Sequence, residues 1–440
     1  MKRGLFRRSL AWIGLAVGTA ACAASGKTSS DGPSLLGGGE DGGFGADGTV
    51  FIGGDDGAGG SLIGSDGGGA GGDACQHLAV PFLPKIPLVY VLVDRSGSIF
   101  AQTSTADGGT MNEWDPLRTA TLSVIQSLQA QVAFGFSAYT GINPNTTPGM
   151  CPILTPPPSA SSIALNNYQP IATAYNALTQ PMFKAETPAQ KSLEAVGQVL
   201  TQAGAQAALG AGQPGGKYIL FVTDGETDFC DDGNAVCPAD AVIAEIQKLY
   251  TQQIQTLILA ISSNLSNISV PVLQAFANAG TGLPALAPPS GAQGAPLSPT
   301  DVYNQCNSVV GWKQLFTAAG LQPNQALGTY AAPGGALVNA TVFSPGGANV
   351  SDLTSKLAAA LKTVKSCSFD LQGQIKVDIA RASSGRVAVD GAGVPYDAAN
   401  GWTMSSATQL DLVGQSCRQW RATGMNITFD FPCDVITTLR

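Results

Sequence analysis

The stretch Val91-Leu92-Val93-Asp94-Arg95-Ser96-Gly97-Ser98 decides the fold, because an apolar run ends abruptly at an acid that is followed by two alternate serines. Residues 88–93 are bulky and mostly β-branched or aromatic, which predicts a buried central strand. Asp94, Ser96 and Ser98 then offer one carboxylate and two hydroxyls, the hard oxygen donors that Mg²⁺ or Ca²⁺ accept. The same residue types favour turns, so this stretch taken alone indicates a turn more often than a metal site.

The composition restricts the class of function. The chain has 440 residues, of which 44% are hydrophobic and 12% are charged, so it can bury a large core in more than one domain. Its net charge of −8 argues against a nucleic-acid partner. His77 is the single histidine, which excludes a three-histidine zinc site and requires any Ser-His-Asp triad to recruit that residue. We therefore expect that the protein is not an enzyme.

Residues 1–22 have the pattern of a secretory signal, in which basic residues precede an apolar stretch that is too short to span a membrane. The small residues 19–21 before Cys22 resemble a bacterial lipobox, although Thr19 stands where Leu is usual. This resemblance implies export and lipidation at Cys22. By resemblance to bacterial sorting rules, Ala23 implies an outer membrane lipoprotein that faces the periplasm or the cell surface. An ordinary signal that is cut near residue 21 is the alternative.

The composition and hydrophobic pattern of the chain after the signal divide it into three parts. Residues 23–74 are rich in Gly, Asp and Ser, with eight acidic residues and one lysine, which predicts a flexible, self-repelling linker. Alternating strand and helix patterns over 75–366 predict a doubly wound α/β domain, with insertions near 140–170 and 280–333. From 367 to 440 apolar residues alternate with polar ones, which predicts a small antiparallel β domain.

The predicted elements place polar residues at one edge of the sheet. The expected strands are 88–93, 131–136, 218–222, 254–261 and 336–343, and the expected helices are 114–129, 187–203, 239–252, 270–279 and 350–364. Doubly wound sheets bind ligands beyond the carboxyl ends of their strands. Asp94 and Asp224 each directly follow a predicted strand, and Thr187 opens a predicted helix, so all three residues should lie at that edge.

Three segments together carry a family resemblance. Asp94-Arg95-Ser96-Gly97-Ser98, Thr187-Pro188 and Thr223-Asp224-Gly225 resemble the three metal-binding loops of a von Willebrand factor type A domain. The resemblance covers roughly residues 88–364 and implies a Rossmann-like, mostly parallel sheet that carries a metal-ion-dependent adhesion site.

The resemblance also implies a role for each of five residues. Asp94 and Asp224 would bind a metal ion directly or through water, Ser96 and Ser98 would coordinate it through their hydroxyls, and Thr187 would join in the liganded state. Mg²⁺ is the expected ion, with Mn²⁺ and Ca²⁺ as alternatives.

The resemblance, the signal and the linker together predict an envelope-anchored, cation-dependent protein-binding module of the adhesion type. A protein partner would complete the metal coordination with an Asp or Glu carboxylate, and the chain would touch the membrane through its lipid anchor only. The alternative is a structural component of an envelope assembly, in which the ion only stabilises the loops.

The cysteines other than Cys22 are even in number, which in an exported chain suggests disulfide bonds. Cys230 and Cys237 bracket an acidic loop and suggest a local bond. Because the termini of a domain of this kind lie close together, its topology suggests pairing Cys75 with Cys367, Cys417 with Cys433, and Cys151 with Cys306. Eight cysteines allow 105 connectivities, so this set is one hypothesis among many.

Overall fold

The computed structural model describes the chain from residue 78 to residue 438 with internal gaps. The described residues are 78–79, 83–101, 103–104, 110–142, 150–181, 186–202, 213–230, 234–261, 270–291, 294–332, 337–345, 349–370, 375–423 and 427–438. The predicted signal, the predicted linker, Cys22 and Cys75 lie outside these residues.

The described elements alternate between strands and helices up to residue 362 and are mostly strands thereafter. The strands are β1 Leu78–Ala79, β2 Leu83–Asp94, β3 Thr103–Ser104, β4 Thr110–Met111, β5 Ala133–Thr140, β6 Ile153–Thr155, β7 Gln213–Thr223, β8 Ile254–Ala260, β9 Ser368–Asp370, β10 Ile375–Val377, β11 Arg386–Val389, β12 Ala392–Val394, β13 Trp402–Ser406, β14 Gln409–Leu412, β15 Ile427–Phe431 and β16 Ile436–Thr438. The α-helices are α1 Trp114–Leu128, α2 Tyr168–Asn176, α3 Ala189–Thr201, α4 Val236–Thr251, α5 Val270–Thr281, α6 Pro299–Cys306, α7 Val310–Ala318, α8 Val350–Lys362 and α9 Gly414–Thr423. Short 3₁₀ turns cover Ser98–Phe100, Ala160–Ser162, Ile379–Ser384 and Cys433–Val435.

The central sheet has five strands in the order β6-β5-β2-β7-β8, and all neighbours are parallel except β5 and β6. This arrangement confirms the predicted α/β class with a mostly parallel sheet. In β2 alternate residues enter opposite cores: Leu88, Tyr90 and Leu92 lie on one side, and the valines between them lie on the other. Because both faces of a parallel sheet are covered by helices, the strand is apolar throughout rather than alternating.

Helices cover the two faces of the sheet in the manner that their apolar residues predict. Helices α3, α4 and α5 pack on the face of Tyr90, whereas α1, α2 and α8 pack on the face of Val91. The predicted strand over 336–343 is wrong for its described part, because only Phe343 forms a bridge, parallel to Leu259 of β8. The segment 140–170 is predicted to be a surface insertion rather than core, but it contains strand β6 and the buried residues Ala160 and Ile163.

The C-terminal segment has its own apolar core and antiparallel strands. Strands β11, β12 and β15 pair with each other and with β1, while β13 and β14 continue through β9 to the start of β2. Residues 78–79 and residues 83–84 at the start of β2 therefore belong to sheets that the C-terminal segment forms. The domain boundaries stay predictions.

The segment from 283 to 332 contains two helices, α6 and α7, around a small core of their own. Asp240 of α4 is fully buried beneath them and accepts hydrogen bonds from Trp312 Nε1 at 2.6 Å, from the backbone of residues 327 and 328 at 3.0 Å each, and from the Tyr330 hydroxyl. Burial raises the pKa of Asp240, and these donors oppose that rise. The carboxylate thus joins two separate parts of this segment, at Trp312 and at residues 327–330, to α4.

Three disulfide bonds join six of the described cysteines: Cys151–Cys230, Cys237–Cys306 and Cys367–Cys417. The predicted pairings Cys230–Cys237, Cys151–Cys306, Cys75–Cys367 and Cys417–Cys433 are therefore all wrong. Cys237 lies in the first turn of α4 and faces the insertion, whereas Cys230 lies at the sheet edge beside the loop after β5. Cys230 and Cys237 are close together in the sequence, but this short separation does not indicate that they face different parts of the structure.

We predict that Asp240→Ala lowers the free energy of unfolding by about 3 kcal/mol, because it leaves several buried donors without an acceptor. Trp312→Phe removes only one donor and should cost clearly less, about 1 kcal/mol. Urea unfolding monitored by circular dichroism measures both values. Equal stability of Asp240→Ala and the wild type would contradict the anchoring role of this carboxylate.

Candidate functional site

The polar residues of the site lie where parallel strands end at one edge of the sheet. Strand β2 ends at Asp94, its neighbour β5 places Tyr139 opposite Asp94, and β7 ends one residue before Asp224. Gly225 follows with a φ of +91°, a left-handed conformation that glycine adopts without strain, and the chain turns away from the sheet there. The register of the parallel strands therefore brings the two acids to the same edge.

Asp94 is fully buried and fixed by donors from three segments. Its Oδ1 accepts a hydrogen bond from the backbone nitrogen of Ser96 at 2.8 Å. Its Oδ2 accepts hydrogen bonds from the Tyr139 hydroxyl at 3.0 Å and from the Thr223 hydroxyl at 3.3 Å. The carboxylate is thus oriented by β5, β7 and its own loop.

The two serines connect Asp94 to Asp224. Ser96 Oγ lies 3.0 Å from Ser98 Oγ, and the Ser98 hydroxyl bonds to the carboxylate of Asp224. Asp224 Oδ1 also accepts from the backbone nitrogen of Glu226 at 3.1 Å. Ser98 starts a 3₁₀ turn whose next two residues point into the core, which anchors the loop. The structure therefore places Asp94, Ser96, Ser98 and Asp224 in one continuous hydrogen-bonded group.

Thr187 lies at the same edge and is buried. Its backbone nitrogen donates to Asp228 Oδ2 at 2.8 Å, and its carbonyl accepts from the backbone nitrogen of Asp228 at 3.0 Å. The preceding residue, Glu186, pairs through its backbone with Gly141 at the end of β5. Thr187 is thus linked to the Asp224 loop through Asp228. Within the described part of the chain, the Thr187 hydroxyl forms no hydrogen bond with Asp94, Ser96, Ser98 or Asp224.

Burial dominates the electrostatics of the two acids. Desolvation raises the pKa of Asp94 well above its ordinary value, and the nearby charge of Asp224 raises it further. Desolvation raises the pKa of Asp224 to about 6, against the hydrogen bond from Ser98, and Glu226 and Glu113 add to that rise. Within the described residues neither carboxylate forms an ion pair, so two acids share a buried edge without a compensating cation.

The residues present fit a hard divalent cation. Two carboxylates and three hydroxyls are the oxygen donors that Mg²⁺ prefers, and a positive ion would offset the repulsion between the two buried acids. Among the described residues, no three or more His, Cys, Asp or Glu side chains are grouped so that they could hold a metal ion, so the donor set at this edge consists of hydroxyls as well as the two acids.

Tyr139 and Asp228 belong to the site but were not predicted from the sequence. Tyr139 could have been found from the register, since it ends the neighbouring strand directly opposite Asp94. Asp228 lies two residues after Glu226 in an acidic loop that reads as ordinary solvated turn residues. Nothing in the sequence indicates that its side chain turns back to hold Thr187.

The chain matches no protein-family model, and a comparison with curated proteins gives no significant match. Among solved structures it is similar to the conserved hypothetical protein BatB from Bacteroides thetaiotaomicron, with 15% identity, a TM-score of 0.27, and coverage of 40% of this chain and 66% of that chain. It is also similar to the pilus adhesin SpaC from Lactobacillus rhamnosus GG, with 12% identity, a TM-score of 0.36, and coverage of 81% of this chain and 40% of that chain. The SpRpn10 VWA domain matches with 12% identity, a TM-score of 0.29, and coverage of 44% of this chain and 82% of that domain.

These TM-scores are too low to carry an argument, so the comparisons decide neither family nor function. The mixed α/β architecture, with its mostly parallel five-stranded sheet and separate antiparallel sheets, is compatible with a fold like that of a von Willebrand factor type A domain. Any statement about ligands or partners therefore depends on the geometry of the sheet edge.

We predict that Asp224→Asn stabilises the protein in EDTA at pH 7, by up to about 3 kcal/mol, because it removes a buried like charge. A carboxyl whose folded-state pKa is raised contributes stability at low pH that is lost as the pH rises through that pKa. In EDTA the stability of the wild type should therefore fall between about pH 4 and about pH 6, and this fall should be smaller in the variant.

Thermal unfolding in EDTA and with added Mg²⁺ measures this effect. With Mg²⁺ the order should reverse, because only the wild type gains stability from ion binding. A variant that is less stable than the wild type in EDTA would contradict the role of like-charge repulsion at this edge.

Proposed function

We propose that this protein is a divalent-cation-dependent, adhesion-type protein-binding module. The ion is Mg²⁺, with Mn²⁺ or Ca²⁺ as substitutes, and its ligands are Asp94, Ser96, Ser98, Thr187 and Asp224. The single observation that carries the proposal is the pair of buried acids, Asp94 and Asp224, which are joined through two serine hydroxyls and form no ion pair with any cationic side chain of the described residues. A buried pair of like charges is costly unless an ion of opposite charge accompanies it.

The partner in this proposal is a protein that offers an Asp or Glu carboxylate. The bound ion would supply a positive charge with a free coordination position, because Mg²⁺ retains water when a protein offers few ligands. Only two of the five proposed ligands are acids, so the site leaves room for a third carboxylate. The three hydroxyls would coordinate the ion without adding negative charge, so the ion could still attract an anionic ligand from a partner.

Binding fits this edge better than catalysis. The Asp94 carboxylate accepts three hydrogen bonds and is buried, so it is held in place rather than free to move a proton. The one histidine of the chain, His77, precedes β1 and lies outside the described residues.

Export and lipid anchoring at Cys22 are part of the proposal. Three disulfide bonds in the described chain favour an oxidising compartment, as the signal-like N-terminus does. In the described residues no helix is long and apolar enough to cross a membrane. We propose an outer membrane lipoprotein, which would contact the membrane through its anchor only and would not bind nucleic acid.

A second candidate is a structural component of an envelope assembly, in which the ion only stabilises the loops. The mutual hydrogen bonds of Asp94, Ser96, Ser98 and Asp224 favour it, because they order the site without a partner. The two candidates differ after ion removal. Adhesion predicts that EDTA releases the partner, whereas the structural role predicts a lower melting temperature with the partner retained. Proximity crosslinking on intact cells, with and without EDTA, distinguishes them.

We predict that the wild-type protein binds Mg²⁺ and Mn²⁺ and that Asp94→Ala weakens this binding at least tenfold, because it removes a central ligand. Isothermal titration calorimetry measures both affinities. Asp115→Ala, at the exposed first turn of α1, is the matched control and should bind like the wild type. Equal binding by wild type and Asp94→Ala would refute the metal site.

A further inference from the structure

We propose that Asp228 and the disulfide bond Cys151–Cys230 are positioning groups that hold Thr187 at the site, so that reduction of this bond weakens the site. This inference rests on the proposed function, since it concerns the regulation of the same site. Of the five proposed ligands, Thr187 is the one that is linked to the others through an intermediate residue, Asp228. The groups that hold Asp228 therefore control whether Thr187 is in place.

Asp228 binds both backbone polar groups of Thr187. Its Oδ2 accepts from the Thr187 nitrogen at 2.8 Å, and its own backbone nitrogen donates to the Thr187 carbonyl at 3.0 Å. Two hydrogen bonds between the same two residues fix orientation as well as distance. Asp228 thereby joins the start of α3 to the loop that carries Asp224.

Cys230 in turn holds Asp228. The Cys230 backbone nitrogen donates to Asp228 Oδ1 at 2.8 Å, so both carboxylate oxygens of Asp228 are occupied by this local structure. Cys230 has a φ of +70°, a left-handed conformation that a non-glycine residue keeps only when its surroundings enforce it. The bond to Cys151 is a covalent constraint that acts directly on this residue.

The sulfur of Cys230 also lies against Gly141, which pairs with the segment that carries Thr187. A Cβ atom at Gly141 would lie 2.3 Å from Cys230 Sγ and 3.1 Å from Pro188, so Gly141 fits closely between the disulfide and the start of α3. Gly141 pairs with Glu186 through two backbone hydrogen bonds of 3.1 and 2.9 Å. Residues 186–188 are thus held between the end of β5 and the loop after β7, and the disulfide closes the group.

The disulfide can be reached from solvent on one side. Cys230 is buried, whereas Cys151 is partly exposed in a shallow depression that Lys191 and Phe229 also line. A dithiol reductant would transfer two electrons and two protons to the bond, leaving two cysteine thiols and becoming a cyclic disulfide itself. Cys237 and Cys306 are both fully buried, so that bond should resist the same reductant longer.

The test measures Mn²⁺ binding in acetate buffer, where acetate takes the place of the partner's carboxylate. Cys151→Ser/Cys230→Ser should bind Mn²⁺ at least fivefold more weakly than the wild type. The matched control, Cys367→Ser/Cys417→Ser, removes a disulfide of the C-terminal segment and should leave the affinity unchanged. Mild treatment of the wild type with dithiothreitol should reproduce the loss, with mass spectrometry identifying the reduced bond.

A double-mutant cycle with Thr187→Val distinguishes an effect of the disulfide on Thr187 from an effect on the other ligands. Thr187→Val keeps the branched shape and removes the hydroxyl. If the disulfide acts through Thr187, its removal in the Thr187→Val background adds no further loss of affinity. A further loss of the same size in that background would overturn the inference, because the disulfide would then act on other ligands.

Asp228→Ala provides a second variant in which all disulfides remain, in case the cysteine variant does not fold. It should weaken Mn²⁺ binding at least fivefold, again without additivity to Thr187→Val. Unchanged Mn²⁺ affinity in both Asp228→Ala and the cysteine variant overturns the inference and leaves the proposed function standing. Failure of the wild type itself to bind Mn²⁺ overturns the proposed function.

Discussion

The site depends on one constraint: two carboxylates, Asp94 and Asp224, are buried next to each other at the end of a parallel sheet. Taking an ionised acid out of water costs several kcal/mol, and a second acid nearby adds repulsion in a medium of low dielectric constant. A fold keeps such a pair only where its surroundings compensate. Here Tyr139, Thr223 and the serines supply hydrogen bonds, which orient the charges but do not neutralise them.

The sheet makes this arrangement rigid. Strand β2 is covered by helices on both faces, and its fully buried residues fix the register with β5 and β7. Because that register places Tyr139 beside Asp94 and ends β7 just before Asp224, the position of the acids is a consequence of core packing. The loops beyond the sheet are then held individually: the first by its buried 3₁₀ turn, the third by the disulfide at Cys230 and by Phe229, which packs against the insertion.

The sequence predicted the parts of the fold that depend on local patterns. The apolar run of β2, the acids after β2 and β7, and the helix after Thr187 follow from residue type and spacing alone. The disulfide pairing failed because it depends on where the insertions pack: Cys237 turns toward α6, while Cys230 turns toward the loop that carries Cys151. The strand expected over 336–343 failed because apolar residues there cover an existing core, and only Phe343 reaches the sheet edge.

The long strand β2 also connects the two ends of the central sheet. Its first residues pair with β9 of the C-terminal segment, and its last residue is Asp94, eleven positions along. At about 3.3 Å per residue, that strand spans roughly 36 Å. Strand β1 pairs with β15, and the strands of the C-terminal segment meet β2 at the end opposite the acids. A partner that bound at the acidic edge would therefore approach the end of the sheet that the C-terminal strands do not cover.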